Sequence, residues 1–131
     1  SDVLTLTGHY GLLPPLPAVG GNEGVGVVRA VGAGVTTLAP GQVVLLPLGS
    51  GTWASHLVAD AAAVVPLPGV GADAPREQLW QLAMLMVNPP TASLLLSEFV
   101  TLEAGDWVLQ NAANSAVGTY LVQLAKARGL R

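Results

Sequence analysis

The stretch Asp106-Trp107-Val108-Leu109-Gln110-Asn111-Ala112-Ala113-Asn114-Ser115-Ala116-Val117-Gly118 decides how the rest of the chain is read. Gly105-Asp106 is a turn signal, and Trp107-Val108-Leu109 is an apolar run that predicts a short strand. Small residues then make an elbow, and Val117, Leu121, Val122, Leu124 and Ala125 follow on one side of a helix. Strand, tight turn and helix in that order open a dinucleotide-binding unit, in which the helix N-terminus holds a diphosphate. The glycine motif is degenerate. Laying G-x-G-x-x-G over residues 113–118 puts Ala113, Ser115 and Gly118 at its three positions. By spacing alone the stretch also fits an ordinary β-turn-α connection, which short loops make throughout α/β folds.

Outward from the elbow, the chain lacks what a doubly wound sheet needs. One strand and one helix cannot close it, because a parallel strand requires neighbours and helices on both faces. The second strand should begin at about Arg131, so the chain reads as a fragment or as a piece that borrows its missing surface.

Upstream, two helices are expected. Residues 77–86, opened by Asp73 or Ala74 with Pro75 in the first turn, read as a mostly buried helix. Asn88-Pro89-Pro90 should stop it, and Thr91 should start the next, with Leu94, Leu95 and Phe99 on its apolar side. Before Pro75 the pattern is β. Residues 24–31, 42–46, 52–59 and 62–65 read as short strands separated by Gly/Pro turns, which suggests a small barrel or sandwich. Residues 1–6 read as extended. Gly8 to Pro17 must be loop, because three prolines and two glycines break any helix there. Trp53, Trp80 and Trp107 read as core residues. The boundary between the β part and the α/β part falls at residues 87–91, giving segments 1–87 and 88–131.

Composition narrows the class of function. The chain is 51% hydrophobic and 10% charged, against about a quarter charged in ordinary soluble domains. Such low charge implies surface covered by another domain or partner. The longest charge-free stretch of the C-terminal half, residues 78–97, is interrupted by Asn88-Pro89-Pro90 and makes a poor membrane span. A net charge of −3 with five basic residues argues against nucleic acid. With no cysteine there is neither disulfide nor thiolate chemistry, and His9 and His56 have no carboxylate at metal-ligand spacing.

Three segments carry a family resemblance. Gly8-His9-Tyr10-Gly11-Leu12-Leu13-Pro14, Val19-Gly20-Gly21-Asn22-Glu23-Gly24 and Gln110 to Gly118 together resemble the 2-enoyl thioester reductases (trans-2-enoyl-CoA/acyl carrier protein reductases) of the medium-chain dehydrogenase/reductase superfamily. The zinc members of that superfamily carry a ligand histidine where this chain has Asn22. The resemblance implies a mixed α/β chain, in which a GroES-like β-barrel portion precedes the first β-α unit of an incomplete Rossmann-type nucleotide-binding domain. It implies a zinc-free, NADPH-dependent reductase of enoyl-CoA or enoyl-acyl carrier protein, a homodimer at full length, cytoplasmic in bacteria and mitochondrial in eukaryotes. It assigns Tyr10 as the catalytic tyrosine and Asn88, Asn114, Ser115, Ala116 and Val117 as cofactor contacts. The residues that would read the 2′-phosphate lie beyond Arg131, so NADPH over NADH follows from resemblance alone.

Other readings of these residues stand beside it. Tyr10 is in isolation a loop tyrosine with a wet hydroxyl, Asn88 a helix-stop residue, and Asn114 and Ser115 helix caps, which use the same N–H groups as a bound phosphate. A quinone oxidoreductase of the same superfamily would look much alike. A truncated, non-catalytic module would share the low charge and the missing sheet.

Overall fold

The computed structural model describes all 131 residues, which divide into two compact units, Ser1–Met84 and Leu85–Arg131.

The first unit is built on a three-stranded antiparallel sheet, β1 (Val25–Val27), β2 (Val43–Leu45) and β3 (Val65–Pro66), with β2 in the middle. All three residues of β2, Val43, Val44 and Leu45, are buried because the strand has neighbours on both sides. Register sets Gly26 opposite Val44 and Val44 opposite Pro66. Pro66 lies on an outer strand, where its missing N–H removes one rung and no more. Hydrogen bonds from Val28 N to Gln42 O and from Leu46 N to Gly24 O, both 2.9 Å, extend the β1–β2 ladder past its assigned ends.

Three expected strands are absent, at residues 1–6, 52–59 and 107–109, and the one expected at 62–65 forms only at Val65–Pro66. Residues 1–6 form α1 (Asp2–Leu6) rather than extended chain. The alternation of apolar residues with Thr5 and Thr7 suggests a strand, but both threonine hydroxyls bond the carbonyl four residues back, Ser1 O and Val3 O. Asp2 in the first turn adds favourable charge at the helix start. Residues 52–59 form no strand either. Their polar groups are spent on a glycine pair. Thr52 N donates to Gly21 O (3.2 Å), Trp53 N to Gly20 O (2.9 Å) and Thr52 Oγ1 to Glu23 O (2.7 Å). Gly21 is buried at φ +101°, and a Cβ there would collide with Thr52 Oγ1 and lie 2.7 Å from Trp53 N. This crossing therefore requires glycine.

None of the three tryptophans lies in a core. Trp53 covers Gly20, whose Cβ would sit 2.7 Å from the ring, and the indole's other face stays in solvent. Trp80 is exposed on α2 (Arg76–Leu82), with the Arg76 guanidinium 5.2 Å from its ring centroid. Trp107 is exposed on residues 106–108, which have a single paired neighbour. The expected buried helix over 77–86 also shrinks. It ends at Leu82, and none of its residues is buried.

The second unit packs α3 (Asn88–Leu95) on α4 (Ala116–Ala127). Asn88-Pro89-Pro90 starts α3 instead of stopping a helix, because proline at the first turn gives up only N–H groups that lack helical partners anyway. Ala92, Leu96 and Leu121 are the buried centre, with Leu102, Val108, Val117, Tyr120, Leu124, Ala125 and Leu130 around them. Burial of Leu96 and Leu121 contributes about 2 kcal/mol each. Leu94, Leu95 and Phe99, expected on the apolar side, are exposed, and so is Val122 on α4. Arg128 Nη1 donates to Leu96 O (3.1 Å), placing a cation on the C-terminus of α3.

The strand expected at 107–109 does not form; residues 106–108 are an extended segment that shares one rung of parallel pairing with Arg131. Arg131 N donates to Asp106 O and Val108 N to Arg131 O, both 2.8 Å, the pattern in which one residue bonds those flanking its opposite number. Residues 106–131 thus run as extended segment, elbow and helix, and return to a single parallel rung at Arg131. The fold is mixed α/β. No helix is long and apolar enough to cross a membrane.

Candidate functional site

The elbow between the extended segment at 106–108 and α4 is held by a set of short-range constraints. Ala112 has φ +49°, a left-handed conformation that costs a non-glycine residue about 1 kcal/mol. Ser115 N donates to Ala112 O (2.9 Å) and closes the turn. Ser115 is the N-cap of α4 in extended conformation, and its Oγ accepts from Gly118 N at 3.1 Å. Gly118 is buried against the elbow. A Cβ there would lie 2.7 Å from Ala112 O and 2.8 Å from Ala113 O, so no larger residue lets the helix come this close. Gln110 Nε2 reaches over to Gly118 O (3.3 Å) and ties the chain before the elbow to the helix's first turn.

Ser115 satisfies one of the amides at the head of α4. The N–H groups of Ala116 and Val117, one and two residues inside the cap, have no partner within the helix by geometry alone. With the positive end of the helix dipole they make a place suited to an anion. Asn114, Ser115 and Ala116 are exposed, Val117 half-buried. The structure therefore gathers four expected contact residues, Asn114, Ser115, Ala116 and Val117, at one helix start. Asn88 lies in the same unit, as the first residue of α3. Tyr10 belongs to the first unit. It follows α1 in a loop where Gly8 takes φ +74° and His9 N donates to Leu4 O (2.8 Å), and its side chain is 42% exposed.

Two residues of the elbow were not picked out as contacts from sequence. Gly118 was legible only as the last small position of a degenerate motif. Gln110 left no signal, because its partner is a helix carbonyl eight residues on. No group of three or more His, Asp or Glu side chains is placed to hold a metal ion.

Replacing Ser115 by Ala removes the cap acceptor of Gly118 N. The variant is expected to lose about 1 kcal/mol of stability, read by thermal denaturation. An unchanged melting temperature would show that the cap contributes nothing.

Residues 1–69 match the family model described as the alcohol dehydrogenase GroES-like domain. The chain belongs to the GroES-like alcohol dehydrogenase family. The resemblance to the 2-enoyl thioester reductases is borne out by this GroES-like chain's relatives. It is 48% identical to the mitochondrial enoyl-[acyl-carrier-protein] reductase of Rattus norvegicus, over 100% of this chain and 34% of that protein. It therefore spans about a third of the length of such relatives. Among solved structures it is similar to Etr1p in complex with NADP and crotonyl-CoA (29% identity, TM-score 0.83, 99% of this chain, 40% of that one). The mitochondrial 2-enoyl thioester reductase Etr1p/Etr2p heterodimer of Candida tropicalis matches at TM-score 0.84, with 29% identity and the same coverage. A protein assigned as an NADPH:quinone reductase from Bacillus thuringiensis matches at TM-score 0.79 with 36% identity, over 99% of this GroES-like chain and 38% of that one.

Proposed function

We propose that the protein carrying this chain reduces the 2,3 double bond of trans-2-enoyl thioesters, of CoA or acyl carrier protein, with NADPH. The observation that carries this reading is the 48% identity to an enoyl-[acyl-carrier-protein] reductase over the whole of this chain. In this reading residues 1–87 form the substrate side and residues 88–131 open the nucleotide side. Asn114, Ser115, Ala116 and Val117 hold the diphosphate, and Asn88 contacts the cofactor. The elbow fits that group. Gly118 leaves no side chain between helix and turn, and the Ala116 and Val117 amides point out of the helix start.

Bound NADPH supplies a hydride to the β carbon. Negative charge then builds on the thioester oxygen, and the Tyr10 phenol donates a hydrogen bond to it. That bond strengthens as the charge grows, so it favours the transition state over the ground state. A proton taken up from solvent at the α carbon completes the saturated thioester, leaving the oxidised nucleotide. The full-length protein works as a homodimer, in the mitochondria of a eukaryotic host, where its rat relative is placed by name, or in the cytoplasm of a bacterial one.

The second reading is a quinone reductase, favoured by the 36% identity to the Bacillus thuringiensis protein. The full-length protein, assayed for NADPH oxidation, is expected to turn over crotonyl-CoA in preference to a small quinone. Turnover of the quinone alone would overturn the enoyl thioester reading.

A further inference from the structure

Asn22 stands where zinc-binding members of the superfamily carry a ligand histidine, and here its amide has a different task. Asn22 Nδ2 donates to the Asp2 carboxylate Oδ1 and, at 3.1 Å, to Ser1 Oγ. Both acceptors lie at the start of α1. The other end of that helix runs directly into the Tyr10 loop, where Thr7 N donates to Val3 O (3.0 Å) and His9 N to Leu4 O (2.8 Å). Tyr10 thus follows Asp2 by one short helix and a hydrogen-bonded turn.

Within this chain, no buried side chain holds α1. Val3 and Leu6 on it are 71% and 70% exposed. Asn22 sits in a braced segment instead. Its own carbonyl accepts from Gly49 N (2.8 Å), and Gly21 O beside it accepts from Gly51 N (3.1 Å) and Thr52 N (3.2 Å). The amide therefore joins a hydrogen-bonded piece of backbone to a helix that buries no side chain within this chain. A hydrogen bond to a carboxylate is among the stronger single contacts available for that purpose.

We infer that Asn22 and Asp2 are positioning residues for Tyr10, a donor–acceptor clasp that orients α1 and through it the phenol. This rests on the role proposed for Tyr10. It acts through the loop and touches no reacting atom.

The test uses the full-length protein and four sets of variants assayed with crotonyl-CoA and NADPH. Asn22→Ala is expected to lower kcat about tenfold and leave KM for NADPH within about twofold. In a Tyr10→Phe background the same change should have little further effect, because residues acting through one group are not additive. Asn22→Asp sets two carboxylates against each other and should lower kcat further. Adding Asp2→Asn to it restores a donor and an acceptor with the roles exchanged, and should recover most of the lost kcat. The recovery also decides the matter if Asn22→Ala fails to fold. Wild-type kcat in Asn22→Ala, a loss that multiplies with Tyr10→Phe, or no recovery in the exchanged pair would each overturn the clasp. If Tyr10→Phe itself keeps wild-type kcat, the role of Tyr10 falls and the clasp with it. If Tyr10→Phe is damaged while Asn22→Ala is silent, only the clasp falls.

Discussion

Tyr10→Phe in the full-length protein is expected to lower kcat for crotonyl-CoA reduction by about 10²-fold, with KM for NADPH nearly unchanged. The change deletes one oxygen and leaves the ring. Tyr10 follows α1 in a loop, 42% exposed, so its hydroxyl is not a structural element of any core. Loss of stability should therefore be small, and the effect should fall on the chemical step. The physical argument is the location of the charge. Hydride addition at the β carbon drives electrons onto the thioester oxygen, and a donor aimed there stabilises the transition state more than bound substrate. Such a loss appears equally in kcat and kcat/KM. A variant with wild-type kcat, or one that fails only by raising KM for NADPH, would remove Tyr10 from the reaction.

Gly118→Val has the second large effect, and it acts on the other unit. Any Cβ at residue 118 meets two backbone oxygens inside 3 Å, and backbone cannot turn aside as a flexible side chain can. The elbow must move away from the first turn of α4, breaking the Gln110–Gly118 and Ser115–Gly118 hydrogen bonds. The expected cost is about 3 kcal/mol, the upper range for forcing extra atoms into a packed site, and NADPH affinity should fall at least about tenfold. Thermal denaturation and NADPH titration of the full-length protein read the two effects separately. Ser115→Ala, which removes the cap without moving the backbone, should cost only about a third as much. Were Gly118→Val to melt and bind like the wild type, the close packing of elbow and helix would have no importance.

Some of this was legible before any coordinates. The turn at Gly105-Asp106 and the helix that opens after Ser115 follow from a turn signal and a helical period, both local properties, whereas the apolar run at 107–109 forms no strand. The same holds for the positions of β1 and β2, where β-branched residues sit between glycine and proline turns, while β3 shares only Val65 with the strand expected at 62–65 and α2 is capped by Pro75 and not by residue 73 or 74. The segments around Tyr10, Asn22 and Ser115 pointed to the right relatives, because a loop that must adopt one special geometry tolerates few sequences.

Part of what local pattern misjudged has its cause in partners far away in sequence. Residues 52–59 look like a strand until Gly20 and Gly21 claim the donors of Thr52 and Trp53. The tryptophans look like core until one is seen to cover a glycine and another to lie under an arginine. Asn88-Pro89-Pro90 reads as a stop, because proline ends helices and begins them, and only the packing of Ala92 on α4 selects the second use. Thus the sequence by itself determined which elements could form and which family the chain joins. Tertiary structure alone decided which faces are buried and that Asn22 holds Asp2, since those depend on contacts between distant residues that no local pattern encodes.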